Sequence, residues 1–184
     1  MAKVTLSEFK SVGDPLLSDS FELVIPALPP GLPSDGGRAF RLQCKTFIKP
    51  GQTIEEVLQE AHGHTLRYAG RKTFSGTISA EFVENADMRI HKICEDWANI
   101  ERTTEEQRGL FKSEYAVTAT LNIFDAKGAT KESYEIHGFW VKAVQDLTFD
   151  GMATALPCNV EFAFDDYTRV QNPMARPAGI IAGA

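Results

Sequence analysis

The sequence has three cysteines, four histidines, no long apolar run and a deficit of basic residues. Each shortage excludes something. Cys44, Cys94 and Cys158 are odd in number and far apart, so neither a disulfide framework nor a paired-cysteine metal motif emerges. Their expected role is that of small buried hydrophobes. No apolar stretch approaches the ~20 residues of a membrane-spanning helix, and none at the N-terminus reads as a secretory signal. The expectation is synthesis and folding in a cytoplasm, without membrane insertion by this chain. With 19 Lys and Arg against 25 Asp and Glu, the net charge is −6. Such a balance is poorly suited to holding a phosphate backbone, which takes clustered cations.

The patterns that carry catalysis are also missing. There is no G-x-S-x-G, no P-loop and no dinucleotide glycine motif. Gly70-Arg71-Lys72-Thr73 lacks the upstream glycine of a P-loop. The carboxylates Glu55-Glu56, Glu105-Glu106 and Asp165-Asp166 are chain neighbours and read as solvated surface. A glycosidase needs its two carboxylates across a cleft. His62-Gly63-His64 is the one close histidine pair. Two imidazoles two residues apart on an extended chain point the same way and could share a metal. No carboxylate follows in Thr65-Leu66-Arg67-Tyr68, and His91 and His137 have no supporting motif. Two exposed loop histidines are expected, with no catalytic, metal or cofactor site.

What is present is period-two alternation, the mark of strands. Phe21, Leu23 and Ile25 alternate with Ser20, Glu22 and Val24 up to Pro26. A proline- and glycine-rich loop follows over 27–37. Phe40, Leu42 and Cys44 alternate with Arg41, Gln43 and Lys45, predicting a strand over 40–45. Thr53 to Glu60 is ambiguous between strand edge and helical turn, because Val57 and Leu58 are adjacent. The polar, glycine-punctuated stretch that follows makes residues 51–72 a long exposed loop. Phe74, Gly76, Ile78, Ala80 and Phe82 then share one strand face. Between Asp87 and Glu101, Ile90, Ile93, Cys94 and Trp97 fall at i, i+3, i+4 and i+7, one helix face; Asn85 or Asp87 can cap it. Thr103-Thr104-Glu105-Glu106 resembles a capping box for a short second helix ending near Gly109. Tyr115 to Ile123 alternates again, Asp125-Ala126-Lys127-Gly128 suits a hairpin turn, and strand pieces follow at 134–142, 147–149 and 158–164. The sum is about seven or eight strands. The expected fold class is mainly β with one central α-helix, two antiparallel sheets packed as a sandwich or barrel. One domain spans 1–184, with an N-terminal arm (1–18) and a C-terminal tail (169–184) that has no packing pattern.

Charge is unevenly spread. Arg38, Arg41, Lys45 and Lys49 form a basic run, and Glu55, Glu56 and Glu60 follow it. Residues 81–106 hold eight acids against three bases. Complementary patches on different edges of one subunit would orient neighbours head to tail.

Three regions carry a resemblance. They are Pro50-Gly51-Gln52-Thr53-Ile54-Glu55-Glu56-Val57 with the stretch after it, Arg71-Lys72-Thr73-Phe74-Ser75-Gly76-Thr77-Ile78-Ser79-Ala80-Glu81-Phe82-Val83-Glu84, and the helix bearing Ile90, Ile93 and Trp97. With Asp14 to Phe21 and the 149–164 region, they make the chain, over roughly residues 10–168, resemble the tail tube proteins of contractile-tailed bacteriophages. The resemblance implies a fold shared with type VI secretion tube proteins. It also implies hexameric rings that close a lumenal β-barrel, and stacking of those rings into a tube that passes DNA. Sheath, baseplate and tape-measure proteins would be its partners, and its place would be a virion tail assembled in the bacterial host cytoplasm. On this reading Gln52, Glu55, Glu56, Glu60, His62, His64, Arg67, Tyr68 and Arg71 make ring-to-ring contact. Ser75, Thr77, Ser79, Thr118, Thr120 and Asn122 are candidates for the lumen wall. A basic wall would bind phosphates and stall DNA, so Arg41 and Lys45 on a strand face stand against putting that face inside. A secretion- or injection-system tube protein and a baseplate tube initiator fit nearly as well. A β-sandwich carbohydrate-binding module would want exposed aromatics on a strand face; Trp140 is the one strand tryptophan, and Phe139 and Val141 beside it read as core.

Overall fold

A computed structural model describes residues 11, 16–103, 109–149 and 154–170. In chain order the elements are β1 (Phe21–Val24), α1 (Gly36–Gln43), β2 (Cys44–Phe47), β3 (Gln52–Ala61), β4 (His64–Phe74), β5 (Thr77–Val83), α2 (Arg89–Glu101), α3 (Lys112–Tyr115), β6 (Val117–Phe124), β7 (Thr130–Val144), β8 (Pro157–Ala163) and β9 (Asp166–Val170). The strands run β1-β6-β7-β8-β5-β2 with β9 also beside β7, and β3-β4 form a separate pair. All pairings are antiparallel. The expected mainly β class with two antiparallel sheets holds.

One strand serves both halves of the seven-stranded sheet. The first part of β7 pairs with β6 and β9, and its last residues, from Trp140, pair with β8. The junction is Gly138, whose φ is +64°. Next to it the β6–β7 register shifts, between the Val117–Phe139 and Ala119–Ile136 pairs. A side chain there would be doubly penalised. Left-handed backbone costs an L-residue about 1–2 kcal/mol, and a Cβ on Gly138 would sit 2.2 Å from an Asp165 carboxylate oxygen.

The inward faces meet in an aromatic core. Phe40, Phe82, Trp97, Phe139 and Phe162 are all buried. Phe139 stacks on Phe162 at 4.4 Å between ring centres, and the Phe40 and Phe82 rings meet edge to face at 5.4 Å. Each such ring contributes about 1.5–3 kcal/mol by burial alone. Trp97 also donates its indole N–H to the Tyr115 carbonyl at 3.0 Å, which satisfies its polar atom inside the core. Cys94 and Cys158 are buried as expected of small hydrophobes, and Cys44 is half-buried. Burial pushes the thiols of Cys44 and Cys158 up to about 12 and that of Cys94 well above its ordinary value. Thiolate, the reactive form, is therefore scarce at neutral pH.

The central helix falls where its periodicity places it, with Ile90, Ile93, Cys94 and Trp97 buried. Its start is held differently from either expected cap alone. Asn85 accepts from the Arg89 N–H at 3.3 Å, and Glu84 accepts from the Ile90 and His91 N–H groups at 3.3 and 2.5 Å. A carboxylate there also meets the positive end of the helix dipole.

Several expectations fail. Of residues 40–45 only Cys44 and Lys45 are in a strand: α1 runs to Gln43 and β2 begins at Cys44. The helix buries Gly36, Ala39 and Phe40, an i, i+3, i+4 stripe with one large side chain, so its period was faint. Arg41 therefore lies on a helix and pairs with Glu22, while Lys45 pairs with Glu81 at 2.7 Å. The basic strand face does not exist. The eight-residue α1 and the four-residue α3 thus join the one helix expected. Residues 147–149 form no strand, and β9 adds one that runs into the first two residues of the expected tail. The 51–72 segment is a hairpin, not a loop. The Asp125–Gly128 turn is as expected: Asp125 accepts from the Lys127 and Ala129 N–H groups, each at 2.9 Å. The capping box beyond Thr103, most of the N-terminal arm and the tail beyond Val170 lie outside the described residues.

Gly138→Ala is expected to lower stability by at least about 1–2 kcal/mol in urea unfolding; a loss under about 0.5 kcal/mol would remove the bend from its central place. Glu101, half-buried at the end of α2, gives a pH signature. Burial pushes its carboxyl from 4.5 up to about 8, although the Val141 N–H donates to it and pulls the other way. The folded state therefore holds a proton that the unfolded chain releases above 4.5. This contribution to stability is full below that value and is lost as pH rises through about 8. The melting temperature of Glu101→Gln should gain on the wild type between pH 5 and pH 9; a constant difference would contradict it.

Candidate assembly interface

The β3–β4 hairpin stands clear of the body. All ten residues of β3 are exposed, as is most of β4. The strands turn through His62 and Gly63, with φ of +50° and +79°. Two consecutive positive φ values are what a two-residue hairpin turn needs to match strand twist. Gly63 adopts its value freely. Thus the histidine pair has a structural place: His62 is in the turn and His64 begins β4, across from Ala61.

The hairpin has no inside. Val57 pairs with Tyr68 and Gln59 with Leu66 on one face; Leu58 pairs with Arg67 and Glu56 with Ala69 on the other. Apolar side chains project from both faces, with Ile54 57% exposed, Val57 52%, Leu58 55%, Leu66 49% and Tyr68 49%. An isolated two-stranded hairpin is marginal in water, and contiguous exposed apolar surface marks an interaction site. The edges differ in charge: β3 carries Glu55, Glu56 and Glu60, and β4 carries Arg67, Arg71 and Lys72. Arg67 holds Glu56 through both carboxylate oxygens, at 2.8 and 2.9 Å.

The structure brings Gln52, Glu55, Glu56, Glu60, His62, His64, Arg67, Tyr68 and Arg71 together on this one hairpin. Sequence reasoning missed Ile54, Val57, Leu58 and Leu66. Their signal was the adjacency of Val57 and Leu58, which read as ambiguity because a strand with no buried face need not alternate.

The other candidates lie on the outer faces of the two sheets. Thr118, Thr120 and Asn122 alternate with the buried Ala119 and Leu121. Cross-strand pairing extends this face through Glu22–Asn122–Ser133 and Val24–Thr120–Glu135. Ser133 donates to the Asn122 side-chain oxygen at 2.7 Å. Thr77 and Ser79 lie opposite the buried Ile78 and Ala80 on β5, while Ser75 sits before that strand and donates to the Thr77 carbonyl at 3.1 Å. The cations beside this face are neutralised: Lys45 by Glu81, and Lys142 by Glu161 at 2.9 Å. Both outer faces are therefore polar without a net basic strip. Among the described residues, no three His, Cys, Asp or Glu side chains are grouped to hold a metal.

Gly63→Val should disorder the hairpin while leaving the body intact, because its strands pair mainly with each other. Limited proteolysis is expected to cut faster within residues 52–74, with the unfolding midpoint of the body unchanged. Unaltered cleavage would show that the turn does not govern the hairpin.

No protein-family model and no curated protein sequence matches the chain. Solved structures do. A chain from the sheath/tube terminator of an extracellular contractile injection system, PVC, in its extended state aligns with a TM-score of 0.63 at 9% identity, over 87% of this chain and 99% of that one. A chain from the anti-feeding prophage baseplate aligns with a TM-score of 0.60 at 13% identity, over 86% and 97%. One from the anti-feeding prophage tube-terminating cap gives 0.60 at 10% identity, over 87% and 93%. The chain thus has the tube-type β fold found in contractile injection systems.

Proposed function

We propose that this chain is a structural, non-enzymatic subunit that self-associates into rings and stacks those rings into a hollow tube. The observation that carries the reading is the β3–β4 hairpin, exposed on both faces and apolar on both. Such a surface is stabilised only when a neighbour covers it. The free edges of the body point the same way. An open strand edge invites pairing with another chain, and closing strands into a barrel removes it. Joining subunits edge to edge turns the liability into the bond that makes the ring. The fold shared with injection-system components supports the same role.

In its specific form the proposal is a bacteriophage tail tube of hexameric rings, built in the host cytoplasm and passing DNA. Thr118, Thr120 and Asn122, with Thr77 and Ser79, would line its lumen. Paired lysines and uncharged side chains leave such a wall without the free cations that would hold a phosphate backbone. Sheath, baseplate and tape-measure proteins would be its partners. A second reading, the tube or tube-initiating protein of an injection system, is favoured by the kind of assembly to which the similar structures belong.

Negative-stain microscopy of the concentrated protein should show rings of uniform diameter or tubes. A monodisperse monomer at every concentration, even with preformed ends as seeds, would contradict the proposal.

A further inference from the structure

The two ends of the strand path do not close on each other. Between β1 and β2 the body opens into a groove of about 460 Å³. Its floor is made of core-type side chains: Phe21, Phe47, Leu121 and Ile123. On β1 and β6, Leu23 and Leu121 are already buried, and Phe21 and Ile123 continue that inward face to the mouth. Lys45 and Lys49 stand at the rim beside one acid, Asp19. Lys45 is engaged by Glu81. Lys49 lies over the Tyr134 and Tyr167 rings, 4.6 and 5.2 Å from their centres, and no carboxylate pairs with it among the described residues. The mouth is thus apolar within, cationic at one lip and flanked by two strand edges.

We propose that this groove receives the acidic β3 edge of the hairpin from a second copy of the chain. The proposal rests on the tube reading above and names the surface on which the hairpin docks. Three features match. One face of the hairpin's β3 strand offers apolar side chains, Ile54 and Leu58, where the groove offers an apolar floor. Its β3 edge carries Glu55 and Glu60, which have no ion pair among the described residues, opposite an uncompensated Lys49. Among the described residues its outer backbone is unpaired, as are the outer edges of β1 and β2, so strand addition is open to it. A pocket of this volume falls in the small-ligand range of roughly 300–1,000 Å³. Strand edges as walls favour a strand as occupant.

The length of the hairpin puts its tip, with Glu60, out of reach of the groove of its own chain. The hairpin strands are ten and eleven residues long, which at about 3.3 Å per residue carries the tip some 30 Å from its base. Unless two copies exchange hairpins reciprocally about a two-fold axis, the union of hairpin and groove is a heterologous contact. Such contacts propagate into rings or helical filaments and do not stop at a dimer. That is the behaviour a tube demands.

The test is zero-length carbodiimide coupling of an equal mixture of unlabelled and ¹⁵N-labelled wild-type protein, followed by peptide mass spectrometry. The expected product joins Lys49 to Glu55 or Glu60 with mixed isotopes, which proves that two copies supplied the halves. In parallel, Lys49→Glu and Glu60→Lys should each raise the concentration needed for assembly at least tenfold, and the double variant should recover much of the loss. If wild-type protein assembles but couples its hairpin elsewhere, the groove is not the receptor, and the tube reading stands. If Lys49 couples only within one copy, for instance to residues N-terminal to Leu16, the groove is filled by its own chain and the proposal fails. A wild-type protein that never associates overturns both.

Discussion

The bend of β7 at Gly138 is the constraint from which the rest of the architecture follows. One strand of fifteen residues pairs on β6 and β9 before the bend and on β8 after it. The left-handed backbone at φ +64° permits the turn, and the Asp165 side chain fills the space a Cβ would need. Asp165 is fixed there by its N–H to the His137 carbonyl, at 3.0 Å, and by Lys112. Folding the sheet on itself lets Phe82, Phe139 and Phe162 meet under α2. It also sends the two ends of the path, β1 and β2, towards each other without joining them.

A body closed on its aromatic side and open on the other is well stabilised and still incomplete. Its core is built to native habits: buried rings in edge and stacked contacts, a satisfied tryptophan N–H and thiols held neutral. Its periphery is not. The hairpin bears apolar groups on both faces, the groove shows inward-type side chains at its mouth, and strand edges lack partners. In a monomer each of these is a hazard; in an assembly each is a joint. The polar outer faces, by contrast, are finished surfaces. Their lysines are paired with glutamates and the Ser75 and Ser133 hydroxyls bond to neighbours, which suits a wall that touches solvent or slides past a polyanion.

Legibility from sequence followed burial. Where one face is buried the period is clean, and β1, β5, β6, β8 and α2 were all readable at residue level. Where burial is absent or depends on small residues, the pattern fails. In α1 the buried stripe is Gly36, Ala39 and Phe40, and a glycine pair that resembles loop punctuation is instead needed for close packing: a Cβ on Gly37 would sit 2.2 Å from the Ile25 carbonyl oxygen. In the hairpin neither face is inside, so Val57 and Leu58 sit side by side without contradiction. Its turn uses His-Gly in place of the stronger Asn-Gly signal. The acidic and basic runs were visible in the sequence, but their arrangement on opposite strands of one hairpin was not. That requires the register of β3 on β4.

The central claim is that the hairpin awaits a neighbour. Amide hydrogen exchange measured on dilute and on concentrated protein tests it most directly. In dilute solution, amides of residues 52–74 should exchange orders of magnitude faster than those of β5, β6 and β8; on assembly they should slow while the core amides stay unchanged. Equal protection of hairpin and core in the dilute monomer would contradict the account, since the hairpin would then be complete by itself.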